Sequence, residues 1–299
     1  MTKRLFIFGL GYSGLEIAKL ARTGGWSVAG TVTGADKAER LAAEGIETHL
    51  FDGTDTLAGR ALDGASHILC TIAPGTAGDP VLRTCAPRLH DARWLGYLST
   101  TGVYGGHGGD WVDETTTPKP SQPRSVERLA AERAWQAMGA TVFRLPGIYG
   151  PGRSAIDRVK AGTARRIDKP GQVFSRVHVE DIAAAVLAAM THPAPGKIYN
   201  VVDDLPASNS DVIAYACELL SLPVPPVLPW DEVAPTMSAM ARSFYTENRR
   251  VRNDRIKAEL GVHLRYPTYR EGLAALWRDG AWRTERPFGS REAPTNQGS

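Results

Sequence analysis

Short apolar runs alternate with stretches of helical periodicity through the first half of the chain. The runs RLFIFG, WSVAGTV, ETHLFD, HILCTIAP, RWLGYLST and ATVFRLPGIYG predict buried strands. The segments SGLEIAKLART, ADKAERLAAEG and PRSVERLAAERAW, which lie between strands, predict amphipathic helices. Because strands and helices alternate, the chain is predicted to form a parallel sheet with helices on both faces, the doubly wound α/β class.

The residue composition and the periodicity of the chain change after Pro151. Residues 151–176 are polar and rich in Arg and Lys, whereas VHVEDIAAAVLAAMTH and KIYNVV return to the helix and strand patterns of the first half. We therefore predict a sheet domain over residues 1–150, resumed at about 177–202. A smaller interleaved lobe comprises residues 151–176 and 203–285. Residues 286–299 are polar without periodicity and are predicted to be a flexible tail.

Composition excludes several classes of protein. The chain has 299 residues, 42% hydrophobic and 22% charged, which is ordinary for a globular enzyme. A net charge of +3 is too small to indicate a nucleic-acid partner. Cys70, Cys85 and Cys217 form no CxxC, which predicts free thiols and no metal site. No apolar run is long enough to span a bilayer, and glycines interrupt the first apolar run, so we expect a cytoplasmic protein without a membrane partner.

A glycine motif follows the first predicted strand directly. In FGLGYSG, Gly9, Gly11 and Gly14 give G-x-G-x-x-G between a strand and a helix. The first glycine allows a tight turn, the second lets the backbone approach a pyrophosphate, and the third permits close packing of helix and strand. The segment therefore predicts a dinucleotide site at a helix N-terminus. The loop residues predicted to contact the cofactor are Gly9, Leu10, Gly11, Tyr12, Ser13 and Gly14.

The end of the second strand indicates which dinucleotide binds. An NAD site usually has an acid here for the ribose hydroxyls, but in GTVTGADK Thr31 and Thr33 occupy the region, no acid appears until Asp36, and the basic residues Lys37 and Arg40 follow. Lys37 and Arg40 either meet a 2′-phosphate, which favours NADP over NAD, or are exposed helix charges. Asp52, which closes the third strand, either reaches the adenine edge or caps the next segment.

Several later stretches occur in a familiar order: LSTTGVYG, RLPGIYGPG, RVHVEDIAAAV, KIYNVVDD and NRRVRNDRIKAELGVHLRYPTYREGL. With the glycine loop they resemble the short-chain dehydrogenase/reductase superfamily, in particular its extended branch, the NAD-dependent epimerase/dehydratase family of nucleotide-sugar enzymes. The resemblance covers about residues 3–277. It implies a Rossmann-type sheet domain, a substrate lobe, cofactor contacts at Ala73 and Pro146, and a possible homodimer. The glycine spacing alone would also suit a two-domain hydroxyacid dehydrogenase.

The chain departs from this family at its catalytic pair. The family carries a Ser or Thr three residues before the Val of VYG, which is Thr100 here. About two dozen residues later it carries Tyr-x-x-x-Lys and an L-x-x-E-like continuation. When RLAAE is aligned on that continuation, Arg128 takes the place of the Lys and Arg124 that of the Tyr. The resemblance therefore implies that both arginines point into the cofactor cleft from one helix face.

These arginines change the chemistry that the resemblance implies. Arg124 cannot shuttle a proton, because the pKa of a guanidinium stays above about 12. Arg128 can still donate to the nicotinamide ribose. Thr100 can position a substrate oxygen but is a poor base. Tyr104 is a further candidate, either as an acid whose pKa the arginines lower or as the packing aromatic of the VYG turn.

The second lobe carries basic residues on the expected substrate side: Arg153, Arg158, Lys160, Arg165, Arg166 and Arg176. Nucleotide-sugar enzymes use such groups against a diphosphate, and arginine binds phosphate in a bidentate fashion. The alternative is a solvated basic face. Arg153 and Arg176 are the predicted substrate contacts, Arg176 because it adjoins VHVEDI.

Two functional hypotheses follow. The first is an atypical short-chain dehydrogenase/reductase that acts as oxidoreductase or epimerase on a nucleotide-linked sugar or similar carbonyl or hydroxyl compound, without the Tyr-x-x-x-Lys pair. The second is a non-catalytic protein that binds the dinucleotide as a sensor or regulator. The complete substrate lobe and Thr100 favour the first hypothesis, and Arg124 and Arg128 favour the second. A third hypothesis is that the guanidinium of Arg124 binds a carboxylate group of the substrate.

Overall fold

Seven parallel strands form the central sheet of the protein in the computed structural model, which describes residues 3–280. They are β1 (Arg4–Phe8), β2 (Ser27–Val32), β3 (Glu47–Leu50), β4 (His67–Cys70), β5 (Trp94–Thr100), β7 (Thr141–Leu145) and β11 (Ile198–Asn200). Their order across the sheet is β11-β7-β5-β4-β1-β2-β3. The chain moves outward from β1 in one direction and then, from β4, in the other, so a crevice opens between β1 and β4. The predicted tail, 286–299, lies outside the described residues.

Helices connect these strands and build the second lobe. Within residues 3–280 they are α1 (Tyr12–Thr23), α2 (Ala35–Ala43), α3 (Pro80–Cys85), α4 (Pro123–Ala137), α5 (Ala155–Lys160), α6 (Val179–Thr191), α7 (Asn209–Leu220), α8 (Trp230–Val233), α9 (Ala239–Ser243), α10 (Asp254–Leu260) and α11 (Tyr269–Arg278). Short 3₁₀ turns occupy Ala86–Arg88, Thr101–Tyr104 and Ala234–Thr236. None of the helices in this part of the chain is both long and apolar enough to cross a membrane.

Both faces of the sheet are buried under helices. The alternation along β1 directs Leu5 and Ile7 to one face, where α1 and α6 pack. Phe6 and Phe8 point to the opposite face, into a second cluster that contains Trp135 of α4. The prediction of a doubly wound parallel sheet is therefore confirmed.

Three pairs of short parallel strands lie outside the central sheet. The pairs are β6 (Trp111–Val112) with β13 (Arg250–Val251), β8 (Gly147–Tyr149) with β10 (Arg176–His178), and β9 (Arg166–Asp168) with β12 (Val227–Pro229). The segment ATVFRLPGIYG, predicted as one strand, is two: β7 ends at Leu145 and β8 starts at Gly147. Pro146 separates them because it has no N–H to donate to the sheet.

The second lobe has a small core of its own. Tyr149 and Ile156 pack there with Val212 of α7 and with Tyr269 and Leu273 of α11. Helix α10, by contrast, packs on α6 and β11 of the sheet domain. The chain thus passes between the two parts more than once, and the cleft between them has walls from both.

Candidate functional site

The three glycines of the FGLGYSG loop meet three different steric demands. Gly9 has φ +93°, and a Cβ there would lie 2.7 Å from Oγ1 of Thr71. A Cβ on Gly14 would lie 2.3 Å from the carbonyl oxygen of Gly9, so only glycine lets α1 approach the strand end this closely. A Cβ on Gly11 would meet no protein atom within 4 Å. The open side of the loop is therefore at Gly11, where a pyrophosphate would approach the backbone.

Hydrogen bonds from three neighbouring elements hold the glycine loop in place. The Gly9 N–H donates to Oγ1 of Thr31 at 2.8 Å, and the Leu10 N–H donates to the Thr31 carbonyl at 2.8 Å. Oγ1 of Thr71 donates to the Gly9 carbonyl at 2.6 Å. Nζ of Lys37 donates to the Leu10 carbonyl at 2.6 Å. These bonds fix the loop before any ligand binds, which lowers the entropic cost of binding.

The residues after β2 form a basic border beside the loop. Thr33 follows the strand and is exposed, and the first carboxylate after it is that of Asp36, in the first turn of α2. Lys37 is half-buried over the loop, and its pKa is lowered by burial and by the charge of Arg40. A partly buried cation next to a helix N-terminus is a favourable environment for an anion.

The other predicted cofactor contacts lie around the same crevice. Ser13 is buried in the first turn of α1, and Ala73 is exposed in the loop after β4. Pro146 lies between β7 and β8. Asp52 is exposed and accepts two hydrogen bonds from Thr54, at 2.9 Å from the backbone and 2.7 Å from the hydroxyl, which lower its pKa. Asp52 therefore caps its own turn, which leaves one face of the carboxylate open.

Arg128 lies against the end of β5. Its Nη1 donates to the Leu98 carbonyl at 2.7 Å, and its guanidinium carbon lies 5.9 Å from the ring centroid of Tyr97. The side chain is half-buried. Arg128 thus keeps a cation beside the strand end where the resemblance places the family's Lys.

The side chain of Arg124 contacts the second lobe. Its guanidinium donates to Sδ of Met240 at 3.0 Å and to Oγ of Ser243 at 3.1 Å, and it lies 4.4 Å from the ring centroid of Phe244. The contacts are with α9 and the residue after it. These polar and aromatic groups hold the long side chain against the second lobe, and the position of Arg124 in the cofactor cleft stays a prediction.

Tyr104 does not have the expected acid character. It is fully buried, its hydroxyl donates to Oδ1 of Asn200 at 2.8 Å, and the guanidinium carbon of Arg144 lies 4.7 Å from its ring centroid. Burial raises the pKa of the phenol more than Arg144 lowers it. The expectation of a lowered pKa is wrong, and the packing interpretation fits. Thr100 is half-buried, and its Oγ1 accepts a hydrogen bond from the Gly102 N–H at 3.1 Å.

A buried ion pair beside Thr100 was not predicted from the sequence. Glu132 and Arg144 are 1% and 2% exposed and pair at 2.6 Å, while Oγ of Ser99 donates to Glu132 at 2.6 Å. The pair links α4, β5 and β7 directly beneath the site. The sequence did contain a signal that Glu132 belongs to the site, because it lies four residues after Arg128 and therefore on the same helix face.

A cavity of about 550 Å³ lies next to the Pro146 turn and extends into the second lobe. Its walls include Gly147, Ile148, Tyr149 and Tyr269 together with three arginines. The arginines are Arg153, Arg158 and Arg176. The volume is in the range of a small-molecule site.

The three cavity arginines are held without carboxylates. Nη1 of Arg176 donates to the carbonyls of Phe174 at 2.8 Å and Ala207 at 3.0 Å. Burial lowers the pKa of Arg158, whose Nη2 lies 3.4 Å from Oδ1 of Asn209. None of the three arginines forms an ion pair with any residue of the described part of the chain. Three guanidinium groups in one cavity favour an anionic ligand, although the carboxyl groups of Asp157 and Asp203 offset part of their charge.

The buried carboxyl group of Asp203, which lies near Arg176, makes the stability of the folded protein depend on pH. It is 2% exposed, neither carboxylate oxygen has a hydrogen-bond partner among residues 3–280, and burial raises its pKa to about 8 despite the attraction of Arg176. The unfolded chain releases this proton near pH 4. Since the folded pKa is the higher one, this group favours the folded state less as pH rises from about 4 to about 8.

Asp203→Asn is therefore expected to raise the free energy of unfolding at pH 8 by at least about 1 kcal/mol, with little effect at pH 4. Thermal melts of both proteins across this pH range would measure it. The exposed Asp63, changed to Asn, is the control and should leave the pH profile unaltered. Equal gains at pH 4 and pH 8 would contradict the assignment.

The described residues offer no cluster of three or more His, Cys, Asp or Glu side chains that could hold a metal. Cys70, Cys85 and Cys217 are buried free thiols, and burial raises the pKa of Cys70 and Cys217. The fold and the glycine loop are those of the dinucleotide-binding α/β class of proteins, and a cavity lined by three arginines lies next to the Pro146 turn.

Comparison with known proteins adds the family. The model of the NAD-dependent epimerase/dehydratase family matches residues 79–202. A functionally unknown conserved protein from Silicibacter pomeroyi is 49% identical, with a TM-score of 0.87 and coverage of 93% of this chain and 99% of that one. The 3-diazoavenalumate denitrifying reductase of a Streptomyces species is 28% identical over 240 residues, 78% of this chain and 70% of that protein.

The fold agrees with that of cofactor-bound enzymes. UDP-glucuronic acid 4-epimerase from Bacillus cereus, solved in complex with NAD, is 16% identical with a TM-score of 0.73, over 92% of this chain and 96% of that one. Over residues 79–202 this chain is thus similar to the NAD-dependent epimerase/dehydratase family, and its fold is similar to that of the NAD-bound epimerase.

Proposed function

We propose that the protein is an NAD(P)-dependent oxidoreductase that acts on a small anionic carbonyl or hydroxyl compound. The observation that carries this proposal is the glycine loop, whose three glycines meet the three steric demands of a dinucleotide site and which opens at Gly11. A bound nicotinamide would supply or accept hydride. The residues that would hold the cofactor are those of the loop, Lys37 at the adenosine end and Arg128 at the ribose end.

The substrate is proposed to be an anion because of the cavity beside the site. Arg153, Arg158 and Arg176 line it, and aromatic and aliphatic side chains form the rest of its walls. Such a mixture suits a molecule with a phosphate or carboxylate group and an apolar body. Two relatives are named for anions, UDP-glucuronic acid and 3-diazoavenalumate. A nucleotide-linked sugar and an organic acid are therefore the two substrate classes to test.

Within this proposal, Thr100 positions the reacting oxygen and the arginines act as cations. Arg128 would donate hydrogen bonds at the nicotinamide ribose, where its charge also favours an anionic substrate oxygen. Arg124 and Arg128 hold their protons throughout, so neither exchanges a proton with the substrate. The proton would come from water or from the substrate, and this predicts a slower reaction than that of relatives with the Tyr-Lys pair.

NADP is proposed in preference to NAD. The support is the missing acid after β2 and the half-buried Lys37 over the loop. Lys37→Ala is expected to weaken NADPH binding about tenfold and NADH binding much less, because a phosphate contact with an ammonium is lost. Fluorescence titrations with both dinucleotides measure the ratio. Lys19→Ala, which removes an exposed charge from α1, is the control, and an unchanged ratio in Lys37→Ala would refute the assignment.

A second candidate function is a dinucleotide sensor without turnover. It is favoured by Arg124, which binds α9. The two functions are separated by following nicotinamide absorbance with NADPH and panels of UDP-sugars and aromatic or aliphatic keto acids. Turnover by the natural chain supports the oxidoreductase. Turnover only in the double variant Arg124→Tyr with Arg128→Lys supports the sensor.

A further inference from the structure

The chain between β8 and α5 forms a rigid turn that rests on the glycine loop. Within it, the Gly150 N–H donates to the Arg153 carbonyl at 3.2 Å and the Arg153 N–H donates to the Gly150 carbonyl at 3.0 Å. The hydroxyl of Tyr12, the first residue of α1, donates to the Pro151 carbonyl at 3.1 Å. A segment of the second lobe is thus bonded directly to the helix that follows the glycine motif.

The contact between the turn and α1 leaves no free space. A Cβ on Gly150 would lie 2.6 Å from the Tyr12 hydroxyl and 2.9 Å from Cγ1 of Val179. Burial of Tyr12 raises the pKa of its phenol, so the hydroxyl stays a donor at neutral pH. Because the turn is fixed by its own hydrogen bonds and by Tyr12, the backbone of Arg153 has a defined position over the loop.

The Arg153 side chain extends from this turn across the glycine-loop tyrosine. Its guanidinium carbon lies 5.6 Å from the ring centroid of Tyr12. Oδ2 of the nearby Asp157 accepts hydrogen bonds from the backbone N–H and hydroxyl of Ser154, at 2.7 and 2.6 Å. The first turn of α1 contains no acidic residue. A guanidinium that forms no close ion pair within residues 3–280 therefore lies beside the helix N-terminus that would face a bound pyrophosphate.

Arg153 differs in this respect from its two neighbours in the cavity. The guanidinium of Arg176 donates hydrogen bonds to backbone carbonyls, and that of Arg158 donates to Asn209 of the second lobe. Of these three arginines, Arg153 alone contacts the glycine loop. The charge of Arg153 is thus available to a ligand held by that loop.

We propose that Arg153 is a cofactor-binding residue, which closes over the dinucleotide from the second lobe and donates hydrogen bonds to its pyrophosphate. This inference rests on the proposed dinucleotide function and assigns to the cofactor a residue that the sequence pattern assigns to the substrate. The Tyr12 ring supports the stem of the guanidinium, and the arginine fork matches two phosphate oxygens. Binding of the cofactor would thereby tie the second lobe to the sheet domain.

The test is the affinity of Arg153→Gln for NADPH and NADH, measured by nicotinamide fluorescence, with Arg158→Gln as the matched control from the same cavity. Loss of a charged donor to a phosphate is expected to weaken binding of both dinucleotides about tenfold or more. Arg158→Gln should stay within about twofold of the natural protein. Circular dichroism and thermal melts show whether each variant is folded, and Arg153→Lys, which keeps the charge, should recover part of the affinity.

Competition experiments locate the contact on the ligand. The inhibition constant of ADP, corrected for the NADPH affinity of each protein, should rise in Arg153→Gln, whereas that of AMP, which lacks the second phosphate, should change little. Equal dinucleotide affinities in the folded Arg153→Gln variant and in the natural protein would overturn the inference and leave the proposed function intact. If the natural protein bound neither dinucleotide, the proposed function itself would fail.

Discussion

Replacing Glu132 with glutamine is expected to destabilise the protein by about 3–5 kcal/mol, the typical effect of removing one partner of a buried ion pair. Glu132 is 1% exposed and pairs with Arg144, which is 2% exposed, at 2.6 Å. The substitution keeps the shape of the side chain and removes its charge, so the guanidinium is left buried without compensation. Urea denaturation, followed by intrinsic fluorescence, measures the change in the free energy of unfolding.

A double variant distinguishes the charge from the packing. Glu132→Gln combined with Arg144→Met removes both charges and should recover more than half of the lost stability, because no buried charge remains uncompensated. If the double variant were as unstable as the sum of the two single variants, the ion-pair explanation would be wrong. A small loss of stability in Glu132→Gln alone would also show that the ion-pair explanation is wrong.

Replacing Gly14 with alanine is expected to have the second largest effect. Its Cβ would lie 2.3 Å from the carbonyl oxygen of Gly9, so helix α1 must move away from the strand end. Overpacking of this kind costs about 1–3 kcal/mol of stability. Because the displaced helix also carries the N–H groups that face the pyrophosphate, dinucleotide affinity should fall at least about tenfold.

Gly11→Ala is the matched control for that experiment. No protein atom lies within 4 Å of the added methyl group, and the backbone at Gly11 has φ −79°, which alanine adopts easily. The melting temperature of Gly11→Ala should therefore fall less than that of Gly14→Ala, by about the small cost of alanine at a helix N-cap, while dinucleotide binding weakens because the methyl group lies on the open side of the loop. A Gly11→Ala variant as destabilised as Gly14→Ala, or a Gly14→Ala variant that melts normally, would contradict this geometry.

The strand and helix pattern of the sequence was sufficient to predict the central sheet. Buried parallel strands are continuous apolar runs, and helices have a different period, so RLFIFG and SGLEIAKLART are distinguished by pattern alone. The roles of Gly9, Gly11 and Gly14 also follow from the motif, because each depends on local backbone geometry. These are properties of short segments, and a single sequence contains them.

The orientation of long side chains could not be predicted in the same way. Arg124 and Arg128 share a helix face, yet Arg128 bonds to β5 and Arg124 to α9, more than a hundred residues later. The choice depends on which lobe segment lies nearby, which no local pattern contains. The same holds for Tyr104, whose partner Asn200 is supplied by a distant strand. Contacts of this kind are decided by tertiary packing.

The most direct test of the account is a fluorescence titration of the purified protein with NADPH and NADH. We expect saturable binding with a lower Kd for NADPH than for NADH, and loss of that preference in Lys37→Ala. A preference for NADH would contradict the assignment of Lys37 while leaving the glycine loop as the dinucleotide site. Binding of neither dinucleotide by folded protein would contradict the central claim.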